Sequence, residues 1–273
     1  MKRAVSSPFA AGLFTIATVL SMPVNALADD NDEDHRLRAD PFVFVGRAGD
    51  CGELTPGVTY PAGSQIVTAA WLGGAGLPDN DGANTTLADL ATNPNKRDPH
   101  LGLLLSKNGP TADCSSAGAR ITGVKGMTVT PAFQLGYDYR DGGHCGAGAP
   151  RFNVTYTLPG GGDGSSFVGG CSNDSTPTPA PQDLLQWSRV RFETSNAAES
   201  FPPIPPGSTI ESITLILDEG TDVPTLPRPT SGDAGNPAGI GLTVVDNIFI
   251  NGRYIRSGRG VEPKPGERNR DND

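Results

Sequence analysis

The stretch RFNVTYTL, residues 151–158, alternates apolar and polar side chains without a break. Successive side chains of a β-strand point to opposite faces. One face would therefore carry Phe152, Val154, Tyr156 and Leu158, and the other would carry Arg151, Asn153, Thr155 and Thr157. This alternation predicts a strand with its apolar face in a core and its polar face toward solvent.

Other segments of the chain have the same strand-like character and are separated by turns rich in Gly and Pro, of which the sequence has 36 and 25. These segments are 42–46, 65–72, 101–107, 119–130, 132–140, 165–170, 187–193, 209–219 and 242–252. Helical signals are confined to short patches at 84–93 and 181–187. The pattern predicts an all-β fold, an antiparallel β-sandwich of jelly-roll type with short helical turns at most, and an open barrel is the alternative.

The N-terminal residues have the three parts of a secretory signal. Lys2 and Arg3 are followed by an apolar stretch over 9–24 and by Ala26-Leu27-Ala28, a small-x-small cleavage site. We therefore expect a signal peptide at 1–28 and a secreted, extracellular or periplasmic product, with no transmembrane segment in the mature chain. The predicted organisation after the signal is an acidic disordered N-terminus (29–40), a single β-sandwich domain (41–255) and a disordered tail (256–273).

The charge balance is acidic. The formal net charge of −9 becomes −11 once Lys2 and Arg3 leave with the signal. A nucleic-acid partner is not expected, because such proteins normally present a basic surface to phosphates.

The four cysteines, Cys51, Cys114, Cys145 and Cys171, are an even number in a chain predicted to be exported. This favours two disulfides over a zinc site, since no C-x₂-C pair is present. Three connectivities are open. We favour 51–114 with 145–171, because each pair flanks one contiguous block. With that pairing, His144, beside Cys145, is a residue of the loop that precedes the strand at 151–158.

Strand 187–193 places Val190 and Phe192 on one face and Trp187, Arg189 and Arg191 on the other. Aromatic rings stack on the apolar faces of sugars, and guanidinium groups donate to hydroxyls or carboxylates. We therefore predict a ligand-binding surface made of Trp187, Arg189, Arg191, Arg151 and Asn153. The alternative is that Trp187 caps a sheet edge and the arginines pair with acids.

Uninterrupted pairing of 242–250 would place Asp246 among aliphatic side chains, where an unpaired charge is very costly. A bulge near Val245 would re-aim the strand. Otherwise backbone donors, an arginine or a metal ion would satisfy the carboxylate. Calcium at Asp246 is the minority interpretation.

The segments SITLILDEGTDVP and GLTVVDNIFINGRYI resemble the final strands of carbohydrate-binding-module jelly rolls, including the galactose-binding-like sandwiches. The resemblance covers about residues 187–252. It implies a sandwich fold and a glycan partner, and it implies that Asp246 would be the residue matching a structural calcium ligand in those domains.

No nucleophile elbow or phosphate-binding loop is present in the sequence. The sequence favours an exported, non-enzymatic β-sandwich that binds glycan or another cell-surface component. A structural or surface-assembly protein without a small ligand is the alternative, and it predicts that another segment or subunit covers Trp187. A secreted hydrolase is the third interpretation.

Overall fold

In the computed structural model the described residues are 37–45, 67–78, 82–92, 99–107, 115–174, 176–219 and 241–256. The predicted signal peptide, Cys51 and Cys114 lie outside these residues, as does the tail beyond Arg256. Regular structure in the described part is almost all β-strand, with one short α-helix, α1 (Leu87–Thr92), and a 3₁₀ helix at Cys171–Asn173. None of its helices has the length and apolar character that a membrane span requires.

Six strands form one antiparallel sheet, called sheet A below. In spatial order they are β1 (Arg38–Phe44), β4 (Ser116–Thr122), β11 (Thr209–Leu217), β6 (Arg151–Thr157), β7 (Asp163–Gly169) and β10 (Ser200–Phe201).

Seven strands form the second antiparallel sheet, called sheet B. In spatial order six of them are β2 (Val67–Leu72), β3 (Gly102–Lys107), β12 (Leu242–Ile250), β5 (Gln134–Arg140), β9 (Asp183–Glu193) and β8 (Thr178–Ala180). The seventh, β13 (Arg253–Ile255), pairs with β12.

The chain passes repeatedly from one sheet to the other. The central strands consequently lie in the order β3-β12-β5-β9 in sheet B and β4-β11-β6-β7 in sheet A. This interleaving of two Greek keys is the strand order of a jelly roll. The predicted all-β jelly-roll sandwich is confirmed, with two separate sheets in place of the alternative barrel.

The core lies between the sheets, and the alternation seen in the sequence selects its side chains. The Tyr137 ring of β5 packs against Phe152 of β6 and Phe192 of β9, and Val154 of β6 is buried in the same core. Burying one side chain of this size contributes about 1.5–3 kcal/mol. The Tyr137 hydroxyl donates to the Pro150 carbonyl at 2.7 Å, so its polar atom is satisfied inside the core.

The β6–β7 hairpin is closed by a glycine-rich turn. Gly161 and Gly162 both have positive φ, 86° and 92°, a conformation that glycine adopts without steric cost. Beyond the other end of the hairpin, a disulfide joins Cys145, in the loop before β6, to Cys171, in the short 3₁₀ turn after β7. The favoured 145–171 pairing is thus confirmed, and the 51–114 pairing lies outside the described residues.

Several element predictions need correction. The patch 181–187 is not helical, because β9 already begins at Asp183 and pairs with β8. The strand expected over 119–130 ends at Thr122. β1 begins at Arg38, inside the segment predicted to be disordered. The helical patch at 84–93 matches α1.

Candidate functional site

The five predicted contact residues lie on two different surfaces. Arg151 and Asn153 belong to β6 of sheet A, and Trp187, Arg189 and Arg191 belong to β9 of sheet B. In each strand the alternate residues fill the core, so both sets point outward from opposite layers of the sandwich. The structure therefore does not bring these side chains together on one surface, which corrects the predicted grouping.

Trp187 is covered by its own chain. Its exposed fraction is 5%, and it packs with Leu77 and Ala180 in a small apolar cluster on the outer side of sheet B. Leu77 belongs to the covering segment, which we define as residues 73–78 and 82–92. The indole ring therefore has little surface left on which a sugar could stack.

Arg189 and Arg191 are held by a buried carboxylate on the neighbouring strand. Asp138 of β5 is fully buried and accepts from Arg189 Nε at 2.8 Å and Nη2 at 2.9 Å. Arg191 Nη2 lies 3.5 Å from the same carboxylate, and burial lowers the pKa of Arg191. Arg189 also donates to the Ala83 carbonyl at 2.7 Å, which ties the covering segment to the sheet. Both guanidinium groups thus have structural partners.

Asp246 is fully buried on β12. Its two oxygens accept the backbone N–H groups of Leu77 at 2.8 Å and Asn247 at 2.6 Å. A register shift follows it, with Asn247 at φ 47°, so that Ile248 returns to the core. Backbone N–H groups therefore satisfy the Asp246 carboxylate, and a bulge after Asp246 re-aims the strand. Among the described residues, no group of three or more His, Cys, Asp or Glu side chains is arranged to hold a metal ion.

A cavity of about 350 Å³ lies beside Arg189 and Arg191 on the outer side of sheet B. Its walls include the carboxylates of Asp174, Glu193 and Glu199, and burial raises the pKa of Glu199. The single Asp138 carboxylate offsets one of the two guanidinium charges, and the three acids of the cavity outweigh the remaining one.

The outer face of sheet A has a different character, because aromatic rings lie exposed on it. Asn153 of β6 lies directly opposite Phe167 of β7, and Phe167 lies directly opposite Phe201 of β10. Phe167 is 52% exposed and Phe201 is 46% exposed. We call these three residues the aromatic row. It presents two apolar rings beside an amide group on a rigid strand framework.

Arg151 supports the aromatic row from the next register position on β6. Its guanidinium lies 4.8 Å from the centre of the Phe167 ring. Two parallel bonds of 2.6 Å bind it to the Asp218 carboxylate, and a third of 2.6 Å reaches the Gly148 carbonyl. Its Nε donates to Asn153 Oδ1 at 3.1 Å, which leaves the Asn153 amide N–H groups as donors toward a ligand.

The loop before β6 is fixed by a second polar pair. His144 is buried, and its Nε2 lies 2.9 Å from Glu219 Oε2. Cys145 is in the disulfide with Cys171 and has no thiol for chemistry. The His144–Cys145 pair therefore anchors the strands that carry Asn153 and Phe167.

Sequence reasoning identified Arg151 and Asn153 but missed Phe167 and Phe201. In SSFVGG the adjacent Phe167 and Val168 give no indication of which one faces the core. The structure buries Val168 and exposes Phe167. Phe201 lies in a strand of two residues, too short for any periodicity to show.

Comparisons with protein-family models, with curated proteins and with solved structures find no match to this chain.

Proposed function

We propose that this protein is an exported, non-enzymatic β-sandwich that binds glycans through the outer face of sheet A. The observation that carries the proposal is the aromatic row, in which Phe167 and Phe201 expose about half of their surface beside Asn153. Sugar rings would stack on the phenyl groups, and their hydroxyls would accept hydrogen bonds from the Asn153 amide.

The surroundings of the row favour a preformed binding surface. Thr155 and Ser212, one register position away, join their hydroxyls at 2.6 Å and add further polar groups to the same face. Asp218 fixes Arg151, and Arg151 fixes the Phe167 ring, so little side-chain freedom is lost when a ligand binds. The signal-like N-terminus, the disulfide and the resemblance to carbohydrate-binding modules agree with export and with a glycan partner.

The test is the affinity of the secreted protein for a panel of polysaccharides, measured by isothermal titration calorimetry on wild type and variants. Phe167→Ala and Phe201→Ala should each weaken binding by about ten-fold, the effect of removing one apolar contact of about 1.4 kcal/mol. Leu185→Ala is the matched control, since Leu185 is 89% exposed but belongs to sheet B. Wild-type affinity in both phenylalanine variants would refute the proposal.

The second candidate is a surface-assembly protein without a small ligand. It is favoured by the covering of Trp187 by its own chain and by the exposed pair Leu184 and Leu185 at the start of β9. Self-association that is lost in Leu185→Asp, measured by sedimentation velocity, would support this function. A monomer at all concentrations would argue against it.

A further inference from the structure

Arg120 extends the aromatic row across sheet A. It lies on β4, directly opposite Thr214 of β11, and Thr214 lies directly opposite Asn153 of β6. One continuous line of side chains therefore crosses the sheet from Arg120 to Phe201. Strands are spaced about 4.8 Å apart, so Arg120 lies about 14 Å from Phe167, three strands away.

The Arg120 guanidinium is exposed and lies over the ring of Phe42, 4.7 Å from its centre. This contact places the guanidinium beside the Phe42 ring on the outer face of sheet A. No described residue forms a hydrogen bond or an ion pair with it, although Asp40 of β1 is directly opposite in the register. Its N–H donors therefore face solvent in a fixed place.

The other cations on this side of the molecule have partners, and Arg38 of β1 is among them. Arg151 is neutralised by the two bonds to Asp218, and Lys125 pairs with Glu211 at 3.3 Å. A planar guanidinium whose donors are open matches the two oxygens of a carboxylate or a sulfate. Arg120 is thus the cation of this line that has no ion pair among the described residues, although the Asp40 carboxylate opposite it offsets part of its charge.

We propose that the glycan bound by sheet A is anionic, and that Arg120 binds an acidic group of the chain while another sugar stacks on Phe167. This inference rests on the proposed glycan-binding function. The span of about 14 Å means that the ligand is an oligosaccharide or polysaccharide that crosses the strands, since one sugar ring cannot reach both residues.

The experiment compares binding of polygalacturonate with binding of its fully methyl-esterified form, which has the same backbone without the charge. At about 0.15 M NaCl, where charges more than about 8 Å apart are largely screened, wild type should bind the charged polymer about ten-fold more tightly than its ester. Arg120→Gln should bind both polymers equally, and Arg120→Lys should keep part of the preference. Lys125→Gln is the control, because it removes an exposed positive charge that is already paired with Glu211, and it should behave as wild type.

The outcomes separate the two proposals. Equal binding of both polymers by wild type would overturn the acidic-ligand inference and leave glycan binding standing. If Arg120→Gln loses affinity equally for both polymers, the inference is also overturned, because Arg120 would then contribute through the shape of the surface and not through its charge. If wild type binds neither polymer, and Phe167→Ala changes no affinity across the panel, both proposals fail.

Discussion

Replacing Asp138 by asparagine should destabilise the fold strongly, because this carboxylate holds the arginines on the outer side of sheet B. It is fully buried and accepts two N–H groups of Arg189, at 2.8 and 2.9 Å, and the Asn247 amide at 3.0 Å. Asparagine keeps the shape but removes the charge and one acceptor oxygen. The Arg189 guanidinium, 15% exposed, would then lose its counter-ion.

Removing one partner of a buried ion pair costs about 3–5 kcal/mol. We expect the lower end, about 3 kcal/mol, because Arg189 keeps its bonds to the Ala83 carbonyl and to Asn84. That is a large part of the 5–15 kcal/mol by which domains are typically stable. Glu211→Gln is the control, because its ion pair with Lys125 is exposed and should contribute at most about 1 kcal/mol.

The assay is urea unfolding at neutral pH, followed by the fluorescence of the buried Trp71 and Trp187. Asp138→Asn should lower the midpoint without changing the slope. If Asp138→Asn lowers the free energy of unfolding no more than Glu211→Gln does, the structural role of Asp138 is refuted. Arg189 and Arg191 would then again be candidates for ligand contacts.

Three further changes test other parts of the structure. Replacing both Cys145 and Cys171 by serine opens a loop with a sequence separation of 26 and should cost about 3.5 kcal/mol in urea unfolding, whereas an unchanged midpoint would contradict this. Trp187→Ala should cost about 3–5 kcal/mol yet leave glycan affinity unchanged, and weaker binding by the folded variant would return Trp187 to the contact surface. Burial raises the pKa of Tyr137 well above its ordinary value of about 10. As the pH rises past about 10, Tyr137 ionises in the unfolded chain but not in the folded protein, so the free energy of unfolding falls. Between about pH 9 and about pH 11, the free energy of unfolding from denaturant titrations should therefore fall less in Tyr137→Phe than in wild type. An equal fall would argue against a raised pKa of Tyr137 in the folded protein.

The fold could be predicted because its main signal is local. Alternation along RFNVTYTL assigns each side chain of β6 to the core or to the surface, and the same rule holds for the inner residues of β9. The helix predicted over 181–187 is wrong, because the short local pattern of this segment does not determine its structure. Its extended form depends on pairing with β5 and β8, which lie elsewhere in the sequence.

The candidate site could be predicted only in part, because strand register is not a local property. Alternation along β6 predicts that Arg151 and Asn153 point outward, but it does not predict which residues of the adjacent strands lie beside them. Phe167 and Phe201 meet only through the pairing of β7 with β10. The covering of Trp187 by Leu77 is likewise a long-range contact that no pattern within β9 contains.

The most direct test of the central claim is to map the bound glycan onto the two sheets by backbone-amide NMR shifts. The proposed function predicts shifts concentrated at Asn153, Phe167 and Phe201 on sheet A, with none at Arg189 and Arg191 of sheet B. Shifts confined to Arg189, Arg191 and the neighbouring cavity, with the aromatic row unchanged, would contradict it.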